Sequence, residues 1–254
     1  MGEGVPKNRL ENTTRRNTPI RAARFLPPFA AVLLVLVAFA PGAFAGSPAA
    51  PEIVVAGAPS SDLCGKTIIE DLELDHDLAC TGMGITVGAD GVDIELNGHT
   101  IRGPSRGPPL RGITIAGRAD VEIEGPGTVE NFRTGILILN SRHVEIEKVI
   151  VARNGHALFG NGDGIRIVGS TDVEVEKCTI LGNGNDGIEV VSSTDVELEK
   201  NRIAENGNGI RLAAVGNEIE KNKITANACG IRGSTSGNEL EKNKFDHNTA
   251  DYCA

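Results

Sequence analysis

Val196-Glu197-Leu198-Glu199-Lys200-Asn201-Arg202-Ile203-Ala204-Glu205-Asn206-Gly207-Asn208-Gly209-Ile210 decides the fold, because the chain repeats this phrase on both sides of it. Lys148, Lys177, Lys200, Lys221 and Lys242 mark one register, with Gly125 in the equivalent slot of an earlier repeat. The steps between marks are 23, 29, 23, 21 and 21 residues. Two positions before the marks stand Ile123, Ile146, Val175, Leu198, Ile219 and Leu240, and four before the first four stand Val121, Val144, Val173 and Val196. Glutamates fill the places between, in one column from Glu124 to Glu241 and another from Glu122 to Glu239. Apolar and acidic residues alternating with period two describe a strand with one face inward, since successive side chains leave opposite sides of the pleat.

Past each mark the pattern continues. Val151, Ile180, Ile203, Ile224 and Phe245 form a second apolar ladder, and six residues past every mark stands an asparagine: Asn131, Asn154, Asn183, Asn206, Asn227 or Asn248. An asparagine stacked on its own kind can bond the turn backbone and the amide of the next repeat. Seven Gly-Ile pairs, at 84/85, 112/113, 135/136, 164/165, 187/188, 209/210 and 230/231, then open a further strand. Periods of this length also occur in helical repeats, but these repeats are full of Gly, Asn, Val and Ile and lack the 3.6-residue apolar stripe. The expectation is an all-β solenoid of about seven coils, roughly 34 Å long at the spacing of stacked strands.

Val92-Asp93-Ile94-Glu95-Leu96-Asn97-Gly98-His99-Thr100-Ile101 and the repeats above resemble the right-handed parallel β-helix proteins of the pectin-lyase-like superfamily, over residues 64–254. The resemblance implies a single-stranded right-handed parallel β-helix. It leaves activity open, because that superfamily holds polysaccharide lyases, glycoside hydrolases, epimerases, phage tailspikes, adhesins and a periplasmic copper-maturation factor.

Ahead of the repeats, Lys7, Arg9, Arg15, Arg16, Arg21 and Arg24 precede an apolar run from Phe29 to Ala40 and the small-residue exit Pro41-Gly42-Ala43-Phe44-Ala45. Residues 1–45 read as a cleaved signal peptide. A retained anchor is the competing reading, but the run is shorter than the roughly 20 apolar residues that span a bilayer. Residues 46–63, rich in Ala, Pro and Ser, read as a linker approaching the β-helix domain of 64–254. Cleavage leaves 19 basic against 32 acidic groups, a net charge of −13. That balance argues against nucleic acid and against a membrane surface as partners. The leader implies a secreted, cell-surface or periplasmic location, and the resemblance implies a polysaccharide or cell-surface glycan as partner.

Export also fits the cysteines: Cys64 with Cys80, and Cys229 with Cys253, are placed to staple the two ends where a solenoid exposes its core. Cys178 shares a column with Val149, Asn201, Asn222 and Asn243 and reads as buried and inert. His76, His99, His143, His156 and His247 fall in different coils, which speaks against a copper or zinc centre. Calcium is the one cofactor the composition admits, on the stacked glutamates, with the lysine column as the alternative source of positive charge.

The candidate site lies where the repeat departs from itself. Between Asn154 and Gly164 one coil carries an insertion, visible in the 29-residue step. Insertions into one coil form loops that often border a binding surface. Asp163 follows the insertion, and Asp186 fills the same slot a coil later, where the other coils hold Met83, Arg111, Thr134, Asn208 and Cys229. Asn161-Gly162-Asp163-Gly164-Ile165 and Asn185-Asp186-Gly187-Ile188 resemble the stacked aspartates of polygalacturonase-type hydrolases, without the rest of that family's motifs. The candidate catalytic set is Asp163, Asp186, His156, Arg166 and Glu189, the aspartates dividing acid and base or nucleophile roles. Asp before Gly is also ordinary turn chemistry. Three classes stay open: a carbohydrate-active or carbohydrate-binding β-helix, a structural or adhesive surface protein, and a metal-delivery factor.

Material exported by a bacterial host is expected to begin near Gly46. N-terminal sequencing checks this, and an intact Met1 terminus held in the membrane fraction would refute it.

Overall fold

The computed structural model describes residues 53–54, 63–104, 110–155 and 162–254, and within them the chain contains strands, turns and bends with no helix. The segment read as a signal peptide, residues 1–45, lies outside the described residues, as does most of the 46–63 approach. Every strand pairing is parallel, so each strand is reached only after the chain has gone once around the solenoid.

Three strand faces make one turn. A representative turn runs along Asp186–Val191 on the first face, Thr194–Glu199 on the second and Arg202–Ala204 on the third. The first face stacks ten strands. Its seven strands with Gly-Ile pairs are joined by Ile53–Val54 and Thr67–Ile68 before them and Ala250–Cys253 after them. The solenoid therefore has about eight turns where the pairs implied seven, because the first turn opens on Thr67–Ile68 without the motif.

In-register stacking builds the core. Val144, Val173 and Val196 sit on one another, as do Ile146, Val175, Leu198, Ile219 and Leu240, and Val151, Ile180, Ile203 and Ile224. Most of these side chains are fully removed from water. Each such side chain contributes roughly 1.5–3 kcal/mol by burial. Gly-Ile has a steric cause: a Cβ on Gly187 would lie 2.5 Å from the Gly209 carbonyl oxygen and 2.9 Å from Asn206 Nδ2. The glycine and the isoleucine after it thus both point inward, and only a residue without a Cβ fits between coils.

The corners carry the polar ladders. At the third-to-first corner, Asn183 Nδ2 donates to the Val151 carbonyl at 3.2 Å and to Asn206 Oδ1 at 3.0 Å, and Asn154, Asn206 and Asn227 repeat the pattern. Asn131 does not belong to this column. Glu147 pairs with Glu124 but Val149 with Gly127, so Pro126 is one residue more than the later coils have. The slot falls instead on Phe132, whose N–H donates to Asn154 Oδ1 at 3.0 Å. Two more ladders close the other corners: Asn201, Asn222 and Asn243 at the second-to-third, and Ser141, Ser170 and Ser193 at the first-to-second.

Lys148, Lys177, Lys200, Lys221 and Lys242 turn that second-to-third corner in left-handed backbone, with φ from 54° to 59°. Lys177 Nζ reaches Glu176 and the preceding coil's Glu147, both at 2.8 Å, and Lys200 bridges Glu199 and Glu176 in the same way. One glutamate column is thus laced by lysine. The other, Glu122, Glu145, Glu174, Glu197 and Glu218, has no lysine bridges among the described ion pairs. Disulfides join Cys64 to Cys80 and Cys229 to Cys253. Cys178 is a buried free thiol pushed up to about 12 by burial, and it stays protonated.

Leu198→Asp should abolish folding, because a buried uncompensated charge costs several kcal/mol. Glu197→Ala should leave thermal stability equal or slightly higher, and equal losses at both sites would mean the strand faces are assigned the wrong way round. Stability should also depend on pH with a definite sign. Burial and the neighbouring Glu145 and Glu197 push Glu174 up to about 7, and the hydrogen bond that protonated Glu218 donates to Glu220, with burial, does the same to Glu218. Both carboxyls hold protons in the folded chain that the unfolded chain has released, so stability is lost as pH rises towards and through 7. Glu147, held low by Lys177, works oppositely, and its contribution disappears as pH falls below the usual 4.5. Melting curves from pH 4 to 8.5 should therefore peak on the acid side of neutrality, and the decline above it should flatten in Glu174→Gln.

Candidate functional site

Asp163 and Asp186 occupy the slot directly before Gly-Ile on the first face. Because Gly187 and Ile188 both point inward, alternation slips by one residue there, and Asp186 and Glu189 emerge on the same outward side. The same slip puts Asp163 beside Arg166. Arg166 and Glu189 are direct register partners on adjacent coils, and Arg211 follows them on the next.

The three carboxylates form one cluster, each offering an oxygen within 4.8 Å of the others. All three are buried, whereas Arg166 and Arg211 are 44% and 45% exposed. Asn185 Nδ2 donates to Asp163 Oδ1 at 2.9 Å and to Asp186 Oδ2 at 3.1 Å. The Asp186 N–H also donates to Asp163 Oδ1, at 3.3 Å, and Asn208 Nδ2 donates to Asp186 Oδ1 at 2.6 Å. Glu189 lies between two guanidinium groups: Arg211 donates to Oε1, and Arg166 Nε stands 3.0 Å from Oε2. Arg166 also lies 3.6 Å from Asp163 Oδ2.

Burial pushes the Asp186 carboxyl up to about 6; the Asn208 amide opposes the shift, and Asp163 and Glu189 add to it. Burial and Asp163 raise Glu189, while Arg166 and Arg211 pull it back. Near neutral pH the cluster therefore contains, in Asp186, a carboxyl poised to take or release a proton beside two carboxyl groups that face arginine.

A cation would need these oxygens free. Amide donors on Asp163 and Asp186, and two guanidiniums on Glu189, already supply the positive charge, so the donor set is a poor calcium cage. Among the glutamates expected to attract calcium, Glu174, Glu176 and Glu199 lie within ligand reach of one another, but Lys200 bridges Glu176 and Glu199.

Four of the five expected residues, Asp163, Asp186, Arg166 and Glu189, come together here. His156 lies outside the described residues, as does Asn161 of the quoted motif. The feet of the insertion are fixed: Gly155 N–H donates to the Phe132 carbonyl at 2.8 Å, and Asn185 N–H to the Gly162 carbonyl at 3.0 Å. Sequence reasoning missed Arg211, which stands in register one coil after Glu189, and it used Asn208 only to mark where the aspartates end. That residue's amide donates to Asp186 Oδ1, beside the Asn185 amide that Asp186 shares with Asp163.

Fold and cluster together define a parallel β-solenoid with an acid–arginine site on one face. The chain belongs to the right-handed β-helix family: the model described as "Right handed beta helix region" matches residues 83–250. Among solved structures, a mutant of the periplasmic alginate epimerase AlgG is similar at 15% identity and a TM-score of 0.52, over 71% of this chain and 50% of that one. Pectate lyase Pel9A is similar at 13% identity and a TM-score of 0.42, over 76% of this chain and 71% of that one. The Azotobacter vinelandii mannuronan C-5 epimerase AlgE4 A-module is similar at 14% identity and a TM-score of 0.35, over 79% of this chain and 86% of that one. The chain spans half the length of the AlgG structure, and likeness at these identities concerns the fold. No curated protein matches the chain in sequence.

Proposed function

We propose that the protein acts outside the cytoplasm on a polysaccharide, at the corner built by Asp163, Asp186, Glu189 and Arg166. The observation that carries this reading is the cluster itself, three buried carboxyls with oxygens within 4.8 Å of one another beside an exposed arginine, and burial raises the Asp186 member. The Asp163 and Asp186 pair can divide proton acceptance and donation on one side of a bound sugar. The carboxylates are too close for inverting hydrolysis, which leaves about 6.5–9.5 Å for a water molecule. Retaining hydrolysis, lyase chemistry and epimerisation remain compatible, and the latter two begin with proton removal beside a carboxylate that Arg166 would neutralise. Glu189 positions Arg166, and His156 on the insertion is the further candidate to contact the glycan. The cystine bridges and the export signal read from residues 1–45 support the location.

One observation favours a non-catalytic surface protein instead. Every oxygen of the aspartate pair has a partner inside the chain, as in a corner cap. The two readings part on one experiment, a panel of neutral and uronic polysaccharides screened for binding and product release. Asp163→Asn and Asp186→Asn should each lower turnover a hundredfold or more with melting temperatures within a few degrees of the parent, and wild-type turnover should titrate near pH 6. Glycan binding without turnover would favour the surface protein, and normal turnover in both variants would remove the site.

A further inference from the structure

The arrangement around Glu189 occurs a second time in the chain. Glu130 ends the strand Ala119–Glu130 on the third face, with a side chain only 3% exposed. Arg102, on the preceding coil, places Nε 2.5 Å from Glu130 Oε1, and Arg153, on the following coil, donates to Oε2. These guanidinium groups are 57% and 60% exposed. A buried carboxylate thus fixes two outward arginines two coil steps apart, as Glu189 does for Arg166 and Arg211.

The two clamps abut. Arg153 directly follows the strand Arg142–Ala152, and Arg166 lies in the strand Ile165–Val168 that the chain enters after one corner. A Cβ on Gly155 would collide with the Gly162 carbonyl, so the backbones on the two sides of the insertion touch at its base. Arg153 and Arg166 therefore flank one corner of one turn. Below them come Glu130 and Arg102, and above them Glu189 and Arg211. Four exposed guanidiniums, each anchored by a buried carboxylate, follow the solenoid axis over four coil steps, about 19 Å at the spacing of stacked strands. Asp163 and Asp186 sit at the middle of this line.

The acidic excess of the mature chain repels polyanions at long range, and the second face is lined with glutamate. Arginine held in place by buried carboxylate offsets this locally, and bidentate donors favour carboxylate and sulfate oxyanions. Anchoring also removes much of the entropy cost of ordering the arginines on a ligand.

From this geometry we infer that Arg102, Glu130 and Arg153 form a second anion-binding point, which extends the Asp163–Asp186 site into a track for a linear polymer with repeated anionic groups. The inference rests on the proposed polysaccharide function and adds its charge class and its path along the axis.

The test is binding of the full mature chain to fluorescent polygalacturonate, dextran sulfate and neutral dextran. The triple variant Arg102→Gln, Glu130→Gln, Arg153→Gln leaves no buried charge unpaired. It should bind both anionic polymers at least tenfold more weakly and keep its melting temperature within a few degrees. Binding of a digalacturonate too short to span both clamps should be unchanged. The single variant Arg153→Gln, which leaves Glu130 its Arg102 partner, should shift in the same direction and serves if the triple variant does not fold. Loss for only one anionic polymer would assign the track to carboxylate or to sulfate. Undiminished polymer affinity in these variants, with loss in Arg166→Gln, would overturn the track and leave the first site standing. No binding of any polymer by the wild-type chain would instead overturn the polysaccharide reading.

Discussion

Parallel stacking in strict register is the constraint on which everything else depends. A coil repeats after 21 to 23 residues in most of the chain, and each residue lies over the residue that holds the same place one turn earlier. For apolar side chains this is favourable without further help: valine on valine and isoleucine on isoleucine fill a continuous core. Every turn must repeat the same shape, and the Gly-Ile corner shows how narrow that tolerance is. One methyl group on Gly187 would meet the next coil's carbonyl.

Polar residues feel the same constraint with mixed results. An asparagine column gains from repetition, since each amide is both donor and acceptor and the chain of bonds can run through the stack. Glutamate columns lose from repetition, because like charges at coil spacing repel. The two columns of the second face resolve this differently. One is laced by lysines placed at the next corner, each reaching a glutamate on its own coil and one on the coil before. The other lies farther from that corner, and burial with mutual repulsion raises its carboxyls, Glu174 and Glu218 up to about 7.

What was legible in the sequence follows from this physics. Features that recur at one position in every coil stood out: the inward ladders, the two glutamate columns, the lysine marks, the main asparagine column and the end cysteines. Features that depend on a single added or missing residue did not. Pro126 shifts the rest of its coil by one place, so Asn131 looked like a ladder member although Phe132 fills the slot. The first turn lacks Gly-Ile, so counting pairs missed it. The serine ladder at Ser141, Ser170 and Ser193 uses a residue type common in any turn. Arg102, Glu130 and Arg153 are spaced 28 and 23 residues apart, and no local motif connects them before the coils are stacked.

A solenoid built this way can hold a reactive group only where its repetition is broken, and the break has a preferred size. One aspartate before Gly-Ile would be a turn residue facing water. A long column of them would raise one another's proton affinity until most were neutral. Two, bounded by Thr134 on one side and Asn208 on the other, are enough for the environments to diverge. Asp163 has Arg166 at 3.6 Å, while Asp186 is the more completely buried and has the Asn208 amide as its outer donor. Stacking gives both carboxyls the same place before Gly-Ile, so what distinguishes them is their neighbours. Asn208 is where the aspartate column stops, and its amide, donating to Asp186 Oδ1, opposes the rise that burial imposes on that carboxyl.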